Sequence, residues 1–299
     1  MRKKFVSLAT EAIKSDPNVF LLLGDISVFG FRAMFKDYPL RVKNVGIMEQ
    51  AMVGMAAGMA LTGMKPIVHT IAPFLVERAY EQLKIDFGYQ KLSGTFVSVG
   101  GSYDYAGLGC THHCPADVSL MENIEGFSIY VPGHPDEFEY LFKETCNNPG
   151  SRYFRMSEQS NKEPQNISLS GPTLVRKSHE EHPNGPVVLA VGPCLDMVLT
   201  ATAGLPVNVY YTTVVSPFPL YALPINNQNV IVVEPYNSSQ LARSIADYNS
   251  TKLRPVTAKN FDIPRRKFAR LYGNKEQLDV TTGFYADNLR STIEKYFPL

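Results

Sequence analysis

Short, uninterrupted apolar runs set the fold of this 299-residue chain. Val19 to Leu23, Pro66 to Thr70, Thr95 to Gly100, Phe127 to Val131 and Arg152 to Arg155 read as strands buried on both faces of a parallel sheet. Stretches with helical spacing stand between them, at about Lys3 to Ser15, Leu75 to Gln90 and Asp136 to Cys146. A polar stretch with three prolines, Glu158 to Asn184, reads as a linker or hairpin excursion. A second series follows, with strands at Val187 to Val191, Val207 to Tyr211 and Val230 to Glu234. Its helices are expected at Asp196 to Ala203, Ser239 to Tyr248 and Tyr285 to Tyr296. Strand–helix alternation predicts an α/β protein of two doubly wound, mostly parallel-sheet domains. We expect them at residues 1–165 and 166–299, joined near 160–184.

One helix stands out. Glu49 sits where a turn, Val45-Gly46-Ile47, gives way to a helix with small residues at Gly54, Ala56, Ala57, Gly58 and Ala60. Met52, Val53, Met55, Met59 and Leu61 lie between them, so the helix is apolar all round and is expected to be buried on every side. Each glycine costs roughly 1 kcal/mol relative to alanine, which predicts a close approach to the helix backbone. A core helix with an acid favoured by its dipole accounts for Glu49 without any chemistry.

Composition excludes several classes. With 44% hydrophobic and 19% charged residues the chain can build an ordinary core. A net charge of +1 gives no general attraction to nucleic acid or membrane. No apolar run reaches the roughly 18 residues of a membrane span, and the N-terminus lacks the pattern of a signal peptide. Four cysteines (Cys110, Cys114, Cys146, Cys194) do not suggest a disulfide framework, so the cytoplasm is the expected location.

Three further segments could carry chemistry, one of them the loop Asp25 to Ser27 at the carboxyl end of a strand, where open α/β sheets bind ligands. Cys110-Thr111-His112-His113-Cys114 contains zinc-ligand residue types, but a structural site usually takes pairs from two segments and no second pair exists. Packing or capping histidines are another reading. Thr70 to Gln82 runs from a strand end into a helix, with Phe74 as an ordinary core aromatic in the simplest reading.

Taken together, Gly46-Ile47-x-Glu49-Gln50, the following Met/Gly/Ala helix, Arg78-Ala79-Tyr80-Glu81-Gln82 and Gly109-x-Thr111-His112 resemble the transketolase superfamily of thiamin diphosphate enzymes. The resemblance spans almost the whole chain, as the pyrimidine-binding domain plus the C-terminal domain. It implies that Glu49 and Ile47 contact the cofactor's aminopyrimidine and that Phe74, or Leu75 if the offset to Arg78 shifts, stacks on it. Glu49 would favour the tautomer that takes the thiazolium proton. His112 would face the reacting carbon, where an imidazole can both donate and accept a proton. His113 and Arg155 would meet the substrate, a sugar or sugar phosphate.

The family also carries a Gly-Asp-Gly segment, with an asparagine further on, that holds the diphosphate and a divalent metal through oxygen ligands. Gly24-Asp25-Ile26 lacks the second glycine. The resemblance therefore implies that a separate N-terminal pyrophosphate-domain subunit holds Mg²⁺ or another divalent cation, most simply in an α2β2 assembly. Leu108, Cys110 and Glu158 depart from the transketolase pattern for sugar-phosphate recognition. Three functions stay open: the C-terminal subunit of a split transketolase transferring a two-carbon ketol unit, a 2-oxo acid dehydrogenase beta subunit or deoxyxylulose-phosphate-synthase-like enzyme, and a non-catalytic scaffold.

Overall fold

The computed structural model describes residues 1–178, 185–223, 229–250, 257–264 and 267–297. The strands in chain order are β1 (Val19–Leu23), β2 (Val42–Asn44), β3 (Lys65–Ile71), β4 (Thr95–Val99), β5 (Phe127–Tyr130), β6 (Ser151–Arg155), β7 (Thr173–Arg176), β8 (Val187–Val191), β9 (Asn208–Thr212), β10 (Val214–Ser216), β11 (Val230–Val233) and β12 (Ala258–Phe261). The helices are α1 (Arg2–Ser15), α2 (Arg32–Asp37), α3 (Glu49–Leu61), α4 (Tyr80–Gln82), α5 (Asp117–Met121), α6 (Pro135–Thr145), α7 (Leu195–Ala201), α8 (Gln240–Ser250), α9 (Lys275–Thr282) and α10 (Ala286–Tyr296).

Two sheets result, in the orders β10-β5-β6-β4-β3-β1-β2 and β12-β11-β8-β9-β7. Among the described residues, only β10 and β7 pair antiparallel to their neighbours. The fold is thus mostly parallel α/β, as the apolar runs predict. Both faces of the first sheet are covered. Phe5, Ile13, Phe138 and Phe142 of α1 and α6 pack on one side, and Met52, Val53, Ala56 and Val76 on the other. Each large apolar side chain among these contributes about 1.5–3 kcal/mol by leaving water. Tyr211 Oη on β9 donates to buried Glu137 Oε2 at 2.6 Å, joining the two halves.

In the first sheet, β1 is followed by β2 on one side, whereas β3 is followed by β4 on the other. The reversal between β1 and β3 opens the crevice where α/β sheets take ligands. Gly24 is required there, since a Cβ would lie 2.8 Å from the Thr70 side chain. Past β3, Pro73–Arg78 and Leu83–Tyr89 wind as π-helical turns on either side of α4, a geometry frequent at functional sites.

Two expectations need correction. The Glu49 helix is not buried on every side: Ala51, Gly54, Met55, Gly58 and Leu61 form an exposed face. Among the described residues nothing comes within 4 Å of a Cβ placed on Gly58, and one on Gly54 would meet only Asp86 Oδ2, at 4.0 Å, so the described residues do not make the close approach expected from these glycines. Second, the stretch read as a linker contains β7, an edge strand of the second sheet. His179 to Pro183 lies outside the described residues.

Candidate active site

Glu49 is the first residue of α3, fully buried, where the helix dipole favours its negative charge. Its Oε2 accepts from Arg78 Nη1 at 2.6 Å. Its Oε1 is buried with no hydrogen-bond partner among the described residues. A buried carboxylate oxygen without a donor costs about 1–3 kcal/mol, so this one is poised for a group that can bond it.

Around it the first π-turn sets the neighbours. Leu75 points into the core and is fully buried, while Phe74 is half-buried and reaches the surface. The Arg78 guanidinium lies 4.1 Å from the centre of the Phe74 ring. The His112 ring meets Phe74 edge-on at 5.2 Å. Thr111 Oγ1 is 3.0 Å from His112 Nδ1 and orients the imidazole. Glu49, Arg78, Phe74 and His112 therefore form one continuous group, although three separate segments supply them. Ile47, in the turn two residues before Glu49, is exposed.

His112 rides on the loop from Gly100 to Cys114, which Ser102 and Cys114 close with reciprocal backbone hydrogen bonds of 2.9 Å. Gly109 begins the last turn at φ +76°, a value that favours glycine. His113 faces the other way. It is buried edge-on to Tyr103 at 5.0 Å, and that burial lowers its pKa, leaving it neutral. Cys110 is exposed, whereas Cys114 is buried with its thiol 3.6 Å from Glu77 Oε1. Burial pushes that thiol well above the ordinary range.

Arg155 lies beneath the loop. It is buried at the end of β6, with Nε 2.8 Å from Asp117 Oδ2 and Nη2 2.6 Å from Ser102 Oγ. A Cβ on Gly101 would sit 2.5 Å from its guanidinium carbon, so only glycine lets the loop close over it. Arg155 is not brought to the Glu49–His112 group by any of these contacts. Instead, Tyr105 links His112, at 6.5 Å ring to ring, to Glu158 and through it to Arg2. In the loop after β1, Ser27 Oγ is 2.9 Å from Nε2 of His69 on β3. Burial lowers the His69 pKa to about 4, so this ring is a neutral acceptor that holds the loop after β1.

Sequence reasoning missed Arg78 as a partner of Glu49, although Arg78 stands in the quoted Arg-Ala-Tyr-Glu-Gln run. It also missed Asp117, whose bond to Arg155 spans 38 positions with no local signal.

Residues 1–163 match the family described as transketolase, pyrimidine binding domain. The chain belongs to the transketolase superfamily. An uncharacterized 33.6 kDa protein in the fasciation locus of Rhodococcoides fascians is 35% identical over 98% of this chain and 93% of its own length. One of the subunits of an apulose-4-phosphate transketolase from Actinobacillus succinogenes is 32% identical over 157 residues, 52% of this chain and 49% of that protein. The match therefore spans only about half of that relative. A split gene transketolase, solved as an inactive beta4 tetramer, superposes with a TM-score of 0.80 over 98% of this chain and 96% of that one at 19% identity, which speaks for the fold alone.

Transketolase membership implies thiamin diphosphate, and the residues at the crevice fit its pyrimidine half. Glu49 Oε1 is an unfilled hydrogen-bonding position, and Phe74 offers an aromatic surface beside it. Asp25 does not offer a comparable buried position, since it is exposed and its Oδ1 accepts from Asn44 Nδ2 at 2.9 Å.

Proposed function

We propose that this chain is the C-terminal, pyrimidine-domain subunit of a two-chain thiamin diphosphate-dependent transketolase, a transferase of two-carbon ketol units from a ketose to an aldose. The observation that carries the reading is the buried, unpartnered Oε1 of Glu49 beside Phe74 and His112. When bound, the cofactor supplies an acidic thiazolium carbon and an electron sink for carbon–carbon cleavage. Glu49 bonds the pyrimidine ring nitrogen through Oε1, and Arg78 keeps the carboxyl in place through Oε2. Phe74 and Ile47 pack against the pyrimidine. His112 exchanges a proton with a substrate oxygen, a role suited to an imidazole near neutral pH.

The diphosphate and its divalent cation belong, in this reading, to an N-terminal pyrophosphate-domain subunit. The exposed face of α3 is its seat, because small residues at Gly54 and Gly58 admit a second backbone closely. The Actinobacillus relative is named as one subunit of its transketolase, which supports a partner of this kind. In this reading the assembly is α2β2 and its substrate is a sugar or sugar phosphate.

Calorimetric titration tests the split. The isolated chain with Mg²⁺ and thiamin diphosphate should show weak binding, and the same chain co-purified with a Gly-Asp-Gly-bearing partner should bind tightly and transfer ketol units. Tight binding by the isolated chain would falsify the two-chain site. Pyruvate consumption by the pair, in place of ketol transfer, would move the assignment to a 2-oxo acid or deoxyxylulose-phosphate enzyme.

A further inference from the structure

The second sheet has a crevice of its own. β8 and β11 are adjacent and parallel, yet β8 continues through α7 to β9 on one side and β11 through α8 to β12 on the other. Open α/β sheets bind ligands at the carboxyl ends of strands that part in this way. Here those ends are Pro193-Cys194 and Pro235, and they open on a cavity of about 450 Å³. Its opposite wall comes from the first half of the chain, through Ser102, Asp104, Arg155 and Ser157. Glu49, Phe74, His112 and His113 do not line it, whereas Ser102 of the His112 loop and Arg155 beneath that loop do.

The charges in this cavity are unevenly committed. Arg155 is bound to Asp117 and Ser102. Among the described residues, Asp104 accepts only from neutral donors, Ser157 Oγ and the Glu158 amide, both at 2.9 Å. Its removal from water pushes its pKa up to about 6. Asp279 takes Lys275 at 2.6 Å on Oδ2, while its Oδ1 is buried with no partner among the described residues. Asp196 also lines the cavity, and its Oδ2 accepts from the Lys162 backbone amide at 2.8 Å; Lys162 itself is exposed at the solvent side, and among the described residues no ion pair holds its ammonium. Met197, Ile263 and Phe284 provide an apolar wall. A simple anion placed here would meet Asp104, Asp196 and Asp279, and a simple cation would meet Arg155 and Lys275. A molecule with both charges avoids both conflicts.

We propose that this interdomain crevice binds a small zwitterion of amino-acid type. Its ammonium faces Asp104 and Asp279, its anionic group faces Lys162, and its apolar side chain lies on Met197, Ile263 and Phe284. The inference does not depend on the transketolase chemistry. It does have a consequence for it, since Ser102 and Asp104 belong to the loop that carries His112.

Titration calorimetry on the full chain decides the matter, with L-methionine, L-leucine and L-phenylalanine as probes. At least one should bind saturably at one site. Its N-acetyl derivative and its amino alcohol, each lacking one charge, should bind roughly tenfold more weakly or worse. Asp104→Asn should weaken binding by a similar factor. Because Asp104 also holds Ser157 and Glu158, Met197→Trp serves as the second variant: it fills the cavity and should abolish binding with the melting temperature retained. The proposal is overturned if no probe binds up to about 10 mM, if the N-acetyl derivative binds equally well, or if Met197→Trp leaves binding untouched.

Discussion

Arg78 Nη1 holds one oxygen of Glu49 at 2.6 Å while the other oxygen, equally buried, has no partner among the described residues. The pair is asymmetric in a second way, because the Arg78 side chain is 35% exposed and that of Glu49 is not exposed at all. Removing the arginine therefore strands a buried carboxylate, whereas removing the carboxylate releases the arginine to water. Arg78→Ala should destabilise the chain by about 1–3 kcal/mol. Glu49→Gln should cost little stability, and the double variant should be less damaged than the sum of the two. In the assembled enzyme Glu49→Gln should lose on the order of 3–5 kcal/mol of transition-state stabilisation. Turnover within a few-fold of wild type would make Glu49 a structural residue only.

The two adjacent histidines should separate cleanly. His112 faces Phe74 and is half-buried, whereas His113 is enclosed against Tyr103. His112→Ala should lower turnover by roughly 10²–10⁴ with the melting curve unchanged, the range for a lost acid–base group. His113→Ala should act chiefly on the order of the loop, seen as a lower melting temperature and weaker substrate affinity. Cys110→Ser and Cys114→Ser should leave turnover largely intact. If all four changes destabilised the chain alike and a chelator did the same, the loop would be a metal site.

Arg155 offers a choice between substrate contact and loop support. Its contacts with Asp117 and Ser102 favour support. Arg155→Met leaves Asp117 buried and should cost about 3–5 kcal/mol, much of it recovered when Asp117→Leu is added. Hydrogen exchange at the Ser102 and Cys114 amides should rise in the single variant. A raised substrate KM with unchanged stability and exchange would return Arg155 to the substrate.

How much of this was legible in the sequence differs by feature. Parallel strands buried on both faces leave unbroken apolar runs, so β1, β3, β4, β8 and β11 could be read directly. β2 and β12 could not, because each is a short edge strand with lysine and asparagine in it. α9 did carry a signal, the Asn274–Gln277 capping box, which polar flanking sequence obscured. The position of Phe74 was ambiguous because π-turns shift which residue faces outward relative to an α-helix. The Glu49–Arg78 pair joins a helix start to a π-turn 29 residues later, and only the fold of β3 between them brings it about.

Glu234 gives the last prediction, a dependence of stability on pH. It lies at the end of β11, fully buried, and neither carboxyl oxygen has a well-formed hydrogen bond among the described residues. Burial raises its pKa from 4.5 to about 8 in the folded chain, outweighing the opposite pull of neighbouring Asn260 and Tyr236. Below about pH 4.5 the group is protonated in both folded and unfolded states and has no effect on the balance. Between there and about pH 8 the unfolded chain releases the proton while the folded chain retains it, so the unfolded state binds fewer protons and stability falls as pH rises. Glu234→Gln mimics the protonated form at every pH and should remove this loss. The variant should match wild type near pH 4.5 and exceed it by on the order of 2–4 kcal/mol near pH 8. Urea unfolding of both proteins across that range measures the difference. A constant difference with pH would mean that Glu234 is not held protonated by its burial.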